Sequence, residues 1–265
     1  MKKLKVMLST VFILSMSLIE TAPIVYGATI EPEVELKYNL DSTTFSKTQM
    51  KATFAAKEDE RLKVYFFDTP ERTFFAKNSI QRLRVYENKN TYDITYKKRF
   101  QDLTLEEAIA ELTRHGFTGS ESNYKFEIDS KNGQNPLSVS RKEKIKITKN
   151  ISYHFVDEQV ALKAVQENVP KKINDWEPNE WVKTTLNTSK MTDPASVQTY
   201  TGVYQGIAAE IEYWECHGKT MVEFSTKTST EQATQIKTVW EESLEADNYL
   251  SEDQRGKTNF VLFDE

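Results

Sequence analysis

The chain has 265 residues, of which 38% are hydrophobic, 11% aromatic and 28% charged, with a formal net charge of −5. That length and apolar content suffice for one large all-β domain or two small ones. The acidic balance excludes a general nucleic-acid binder, so any phosphate site has to be a local concentration of basic side chains.

The N-terminus reads as a secretory leader. Lys2, Lys3 and Lys5 precede the apolar stretch Val6–Ile19, and the small residues Gly27 and Ala28 follow. The stretch is too short for a span. Cleavage after Gly27 then leaves residues 28–265 as a single exported domain without a stable membrane anchor, secreted or retained in the cell envelope. The leader carries three lysines against one acid, so the remainder is more acidic still.

Glu33-Val34-Glu35-Leu36-Lys37 follows, charged and apolar in strict alternation. In a strand, residues two apart share a face, so Glu33, Glu35 and Lys37 point one way and Val34 and Leu36 the other. Residues 43–57 lack alternation and read as a short helix or excursion. Leu62 to Phe67 is a strand by its β-branched and aromatic content, and Asp68-Thr69-Pro70 ends it. Residues 71–77 could form one helical turn. Ser79 to Glu87 alternates with Arg82 and Arg84 on one face, and Thr91 to Arg99 with Lys97 and Arg99 on one face.

Leu103 to His115 is a helix. Thr104 and Glu107 form a capping box, Leu105, Ala108, Ile109 and Leu112 an apolar stripe, and Gly116 the stop. Tyr124 to Asp129 and Leu137 to Ile147 read as a hairpin across Lys131-Asn132-Gly133. Asp157 to Asn168 is a second helix, and residues 171–197 are polar and irregular. Ala208 to Glu215 and Thr220 to Thr226 are two further strands. Cys216, the one cysteine, excludes an internal disulfide. Ser229 and Gln232 open a last helix that runs to about Leu250. Strands joined by short turns favour an antiparallel sheet or barrel.

The strand faces carry doubled charges: acids at Glu33, Glu35, Glu210, Glu212 and Glu223, bases at Lys37, Arg82, Arg84, Lys97, Arg99 and Lys227. Solvent could cover such a face. Like charges stacked on one strand cost energy unless a counter-ion lies between them, and a closed barrel with a charged interior supplies one. Two or more carboxylates can hold Mg²⁺ or Mn²⁺, while Arg and Lys grip phosphate oxygens.

These residues resemble a family. Glu33-x-Glu35-x-Lys37 is similar to the ExExK signature of the CYTH superfamily, the triphosphate tunnel metalloenzymes. Tyr65-Phe66-Phe67-Asp68-Thr69-Pro70 resembles its Tyr-Phe-Asp-Thr-Pro segment with one aromatic added. Arg82-Leu83-Arg84, Thr95-Tyr96-Lys97-Lys98-Arg99, Glu210-x-Glu212 and Glu223-Phe224-Ser225-Thr226-Lys227 are similar to its later strands, in the family's order. The resemblance implies an α+β, mainly β fold: a closed antiparallel eight-stranded tunnel barrel with helices packed outside. It implies action on a small triphosphate or polyphosphate substrate, with Mg or Mn as cofactor. Glu33, Glu35 and Glu223 would be metal ligands, and Glu212 and Glu210 join them if the strand phase there is unbroken. Lys37, Arg82, Arg84, Lys97, Arg99 and Lys227 would bind phosphates, and Lys37 could instead serve as a catalytic proton-transfer group. The family's middle acidic strand could be filled by Glu127 or Glu143. A metal-dependent triphosphate hydrolase is the first expectation, a non-catalytic binding module for polyphosphate or another anionic polymer the second, and a tunnel that serves only folding the third.

Overall fold

The computed structural model describes residues 30–263. The leader read in residues 1–27 lies outside the described residues. In chain order the elements are β1 (Glu33–Leu40), α1 (Lys47–Thr53), β2 (Lys57–Asp68), α2 (Thr73–Ala76), β3 (Ser79–Tyr86), β4 (Thr91–Phe100), α3 (Leu105–Arg114), β5 (Tyr124–Ser130), β6 (Leu137–Lys146), β7 (Ile151–Ser152), β8 (Phe155–Val156), α4 (Glu158–Glu167), α5 (Lys171–Asn174), α6 (Trp181–Leu186), β9 (Lys190–Met191), β10 (Ala195–Tyr204), β11 (Ile207–Cys216), β12 (Lys219–Thr228), α7 (Thr230–Ala246) and α8 (Lys257–Phe263).

The strands run β10-β11-β12-β1-β5-β6-β4-β3-β2, and β2 pairs back to β10 to close a ring. The barrel therefore has nine strands and is mixed, where eight antiparallel strands were expected. The ninth is β10, which enters from the stretch read as irregular. A closed ring with an odd number of strands cannot alternate direction throughout, and the one parallel pair is β1 with β5. Such a pair needs a crossover rather than a hairpin, and the three strands between β1 and β5 in the chain provide it.

The hairpins close with the turn chemistry their sequences carry. At Lys131–Gln134 the two central residues, Asn132 and Gly133, have φ of 49° and 74°. This is the two-residue turn that matches strand twist. Gln205 and Gly206 close β10 onto β11 in the same way, with φ of 51° and 74°. Around α3 the capping box forms as expected: Glu107 N–H donates to Thr104 Oγ1 at 3.3 Å, and Thr104 N–H donates to Glu107 Oε2 at 2.9 Å. Thr104→Ala should cost about 0.5–2 kcal/mol, read by chemical denaturation. Ser229 caps α7 by position but makes no side-chain cap bond; Gln232 accepts from the Thr228 hydroxyl instead.

Strand alternation divides the barrel into two cores. Val34, Leu36, Tyr38 and Leu40 face outward with Val85, Ile94 and Tyr96, and pack under helices through Leu112, Val165, Trp240 and Leu244. The second core is inside: Leu62, Val64, Phe66, Ala195, Val197, Trp214 and Met221 meet Phe260, Val261 and Leu262 of α8. One helix thus packs within the barrel, where all were expected outside. The reason is that β2, β10 and β11 place apolar residues on their inner faces on that side. Phe260, Val261 and Leu262 are at most 3% exposed, and each contributes about 1.5–3 kcal/mol on burial. That makes α8 a fixed part of the wall. Among the described residues, no helix is long and apolar enough to cross a membrane.

Candidate functional site

Register carries the charged residues to one interior. Directly opposed residues share a face, so Glu35 with Lys227, Lys37 with Ser225, and Asn39 with Glu223 point inward from β1 and β12. Glu210 and Glu212 follow on β11. Phe66 with Arg82 and Val64 with Arg84 face inward from β2 and β3, and Arg82 with Thr95 and Ile80 with Lys97 continue onto β4. The inner walls enclose a cavity of about 800 Å³. Of the residues expected at the site, Glu35, Lys37, Arg82, Arg84, Lys97, Arg99, Glu210, Glu212, Glu223 and Lys227 all line it. Glu33 shares their face but is exposed at the start of β1 and does not line the cavity. Glu210 and Lys227 line it while exposed.

Of the two acids considered for the middle strand, Glu127 lines the cavity and pairs with Lys227 at 3.2 Å. Glu143 pairs with Arg141, and its register partner Ile94 faces the outer core, so it belongs outside.

The hub of the cationic wall is Asp129, which sequence reasoning missed. Its Oδ1 lies 2.5 Å from Lys37 Nζ, and its Oδ2 lies 2.7 Å from Lys97 Nζ and 3.0 Å from Arg99 Nε. Lys37 is also 2.7 Å from Glu35. Burial alone would raise the Asp129 carboxyl, but Lys97, Lys37 and Arg99 overcome it and hold the group well below its usual range. Burial opposes charge on Lys37 as well, and Asp129 and Glu35 outweigh it, so this lysine stays protonated and is ill suited to give up its proton. A signal for Asp129 existed: Lys125, Glu127, Asp129 and Lys131 alternate as Glu33, Glu35 and Lys37 do.

The Nε of Arg82 is buried without a hydrogen-bond partner, as is the Nε of Arg84 and the hydroxyl of Thr95 opposite. Burial, reinforced by the charge of Arg84, pushes the Arg82 guanidinium down to about 9. Burial pushes Lys97 down to about 8 despite Asp129. An anion entering here favours the protonated forms of both. Affinity for tripolyphosphate should therefore hold below pH 8 and fall as pH rises through it. Titration calorimetry across that range checks this, and Lys97→Met should flatten the fall.

The acidic wall is neutralised from within. Glu212 and Glu223 sit opposite each other on β11 and β12. Lys257 Nζ lies 2.7 Å from Glu212 and 2.6 Å from Glu223. The Trp214 indole N–H donates to Glu212 Oε2 at 2.9 Å, and Lys131 donates to Glu223 Oε2 at 3.1 Å. Burial would raise both carboxyls; Lys257 and Arg84 hold Glu212 at about 2, and Lys257, Lys131 and Lys37 hold Glu223 far below its usual value. Lys131 and Lys257, like Asp129, were not expected at the site. Among the described residues, no three His, Cys, Asp or Glu side chains form a group that could hold a metal ion. Glu212 and Glu223 are each ion-paired to ammonium or guanidinium groups, although Glu223 Oε1 has no hydrogen-bond partner, so the pair as it stands does not fit a protein-held divalent ion.

A closed barrel with apolar outer faces, a charged inner cavity and paired cations on one inner wall defines a tunnel fold. The chain belongs to the CYTH domain family, whose model matches residues 31–163. Enzymes of that family are generally divalent-metal dependent. The structure is similar to that of a Hippeastrum protein, a candidate adenylyl cyclase described as having a dominant triphosphatase activity. The TM-score is 0.53 at 16% identity, covering 86% of this chain and 94% of that one. A candidate adenylate cyclase from Bacillus halodurans aligns with a TM-score of 0.46 at 13% identity, over 88% of this chain and 98% of that one. No curated protein matches the chain.

Proposed function

We propose that the tunnel binds a small triphosphate or polyphosphate anion and hydrolyses its phosphoanhydride bonds. The observation that carries the reading is Arg82: a half-buried arginine whose Nε is buried without a hydrogen-bond partner, beside Arg84 and Lys97, facing a cavity of about 800 Å³. No protein group satisfies that Nε, and a phosphate oxygen is the acceptor that would. Arg82, Arg84, Lys97 and Arg99 bind the phosphates, with Thr95 as a neutral donor. The cofactor, Mg²⁺ or Mn²⁺, belongs to the same proposal as a cation carried on the phosphate oxygens, since Mg²⁺ binds through few carboxylates plus substrate phosphates. Export, which rests on residues 1–27, directs the reading to polyphosphate outside the cell.

The test is phosphate released from tripolyphosphate with Mg²⁺ or Mn²⁺, compared with Glu35→Ala. Release by the wild type alone supports hydrolysis. Binding without release in either protein overturns hydrolysis and leaves the second reading, an anion-binding module. The neutralisation of Glu212 and Glu223 by Lys257 favours that second reading.

A further inference from the structure

We propose that Lys257 is the resident cation of the Glu212–Glu223 pair, a built-in ammonium that fills the position in which facing carboxylates otherwise take a divalent ion. The two acids are direct cross-strand neighbours, and like charges so placed need a cation between them. Lys257 bridges them at 2.7 and 2.6 Å. The space around the pair is cationic already: Lys131 lies 3.1 Å from Glu223 and Arg84 lies 3.4 Å from Glu212. A divalent ion would have to displace Lys257 and then sit against two further positive charges.

Lys257 is not free to leave. The chain ahead of it is clamped to β1: the Asn39 side-chain amide donates to the carbonyls of Asp253 and Arg255 at 2.9 and 2.8 Å. Gln254 closes a reciprocal pair with the Asn39 backbone, both bonds at 2.9 Å. Behind Lys257, Arg72 donates to the Leu262 carbonyl at 2.7 Å, and Phe260, Val261 and Leu262 are buried in the inner core. A lysine held from both sides acts as a fixed charge in the wall. Lys257 is then a positioning residue: it holds the two acids together against their repulsion and presents an ammonium to whatever anion enters. Only this last consequence rests on the anion-binding reading.

The test reads metal directly. Mn²⁺ uptake by the full chain is measured by electron paramagnetic resonance without phosphate. Wild type, Glu212→Gln and Glu223→Gln should take up Mn²⁺ alike. Lys257→Met, which keeps the apolar stem, should gain a site that the added Glu223→Gln removes. Wild-type uptake that disappears in Glu223→Gln or Glu212→Gln overturns the proposal, and so does a folded Lys257→Met that gains nothing. Should Lys257→Met fail to fold, the wild-type comparison still decides. Failure to bind tripolyphosphate, measured separately, would count against the proposed function and leave this inference standing.

Discussion

Arg82→Met is expected to abolish tight tripolyphosphate binding and to make the protein more stable. The first effect follows from the loss of a half-buried charged donor that faces the cavity. Removing one partner of such a pair costs about 2–5 kcal/mol, which is tens- to thousands-fold in affinity at about 1.4 kcal/mol per factor of ten. The second follows because Arg82 lacks a hydrogen-bond partner for its Nε and is depressed by burial and by Arg84. A similar-sized apolar side chain opposite Phe66 removes that cost, so stability should rise. Titration calorimetry and thermal unfolding read the two effects on one variant. Unchanged affinity would sink the assignment of Arg82 as the anion-binding group. Lower stability with lost binding would mean that Arg82 has a structural partner.

The charged inner face was legible because a barrel with apolar residues outside imposes a period of two on every strand. Glu35, Lys37, Arg82, Arg84, Lys97 and Arg99 keep that period, and their outward neighbours, such as Val34, Leu36, Leu83 and Tyr96, are buried. β10 was hidden for a physical reason. Ala195 and Val197 pack inward toward α8, whereas Tyr200 and Tyr204 pack outward into the larger core. The apolar pattern changes face in mid-strand, and alternation fails as a signal. The eight-stranded antiparallel barrel implied by the family resemblance has no place for β10, which makes the ring odd and forces one parallel pair. Lys257 left no trace of its role, since it sits in a seven-residue helix with no strand register, and only the closed barrel brings it to Glu212 and Glu223. Asp129 was a missed opportunity rather than a hidden residue, because its alternation with Glu127 and Lys131 was in view.

Asp129→Asn is expected to be the most destabilising single substitution in the tunnel. One carboxylate neutralises Lys37, Lys97 and Arg99, and it is 6% exposed. Removing its charge leaves Lys37 with Glu35 but takes from Lys97 and Arg99 the acid they share, and breaking a buried ion pair from one side costs about 3–5 kcal/mol. The pH dependence has a definite sign. The Asp129 carboxyl is depressed in the folded state, so its contribution is complete above the unfolded value of about 3.9. That contribution is lost as pH falls further, toward the folded value. Wild type should lose stability below roughly pH 4, and Asp129→Asn should lose less there because it has already lost that contribution. Glu212, held at about 2, adds to the wild-type slope in the same window. A bound phosphate chain can do for these cations what Asp129 does. Tripolyphosphate should therefore raise the melting temperature of Asp129→Asn by more than that of the wild type, since a ligand that binds only the folded state stabilises by RT ln(1 + [L]/Kd), which is larger for the tighter binder. Equal shifts in the two proteins would mean that the anion does not reach Lys37, Lys97 and Arg99.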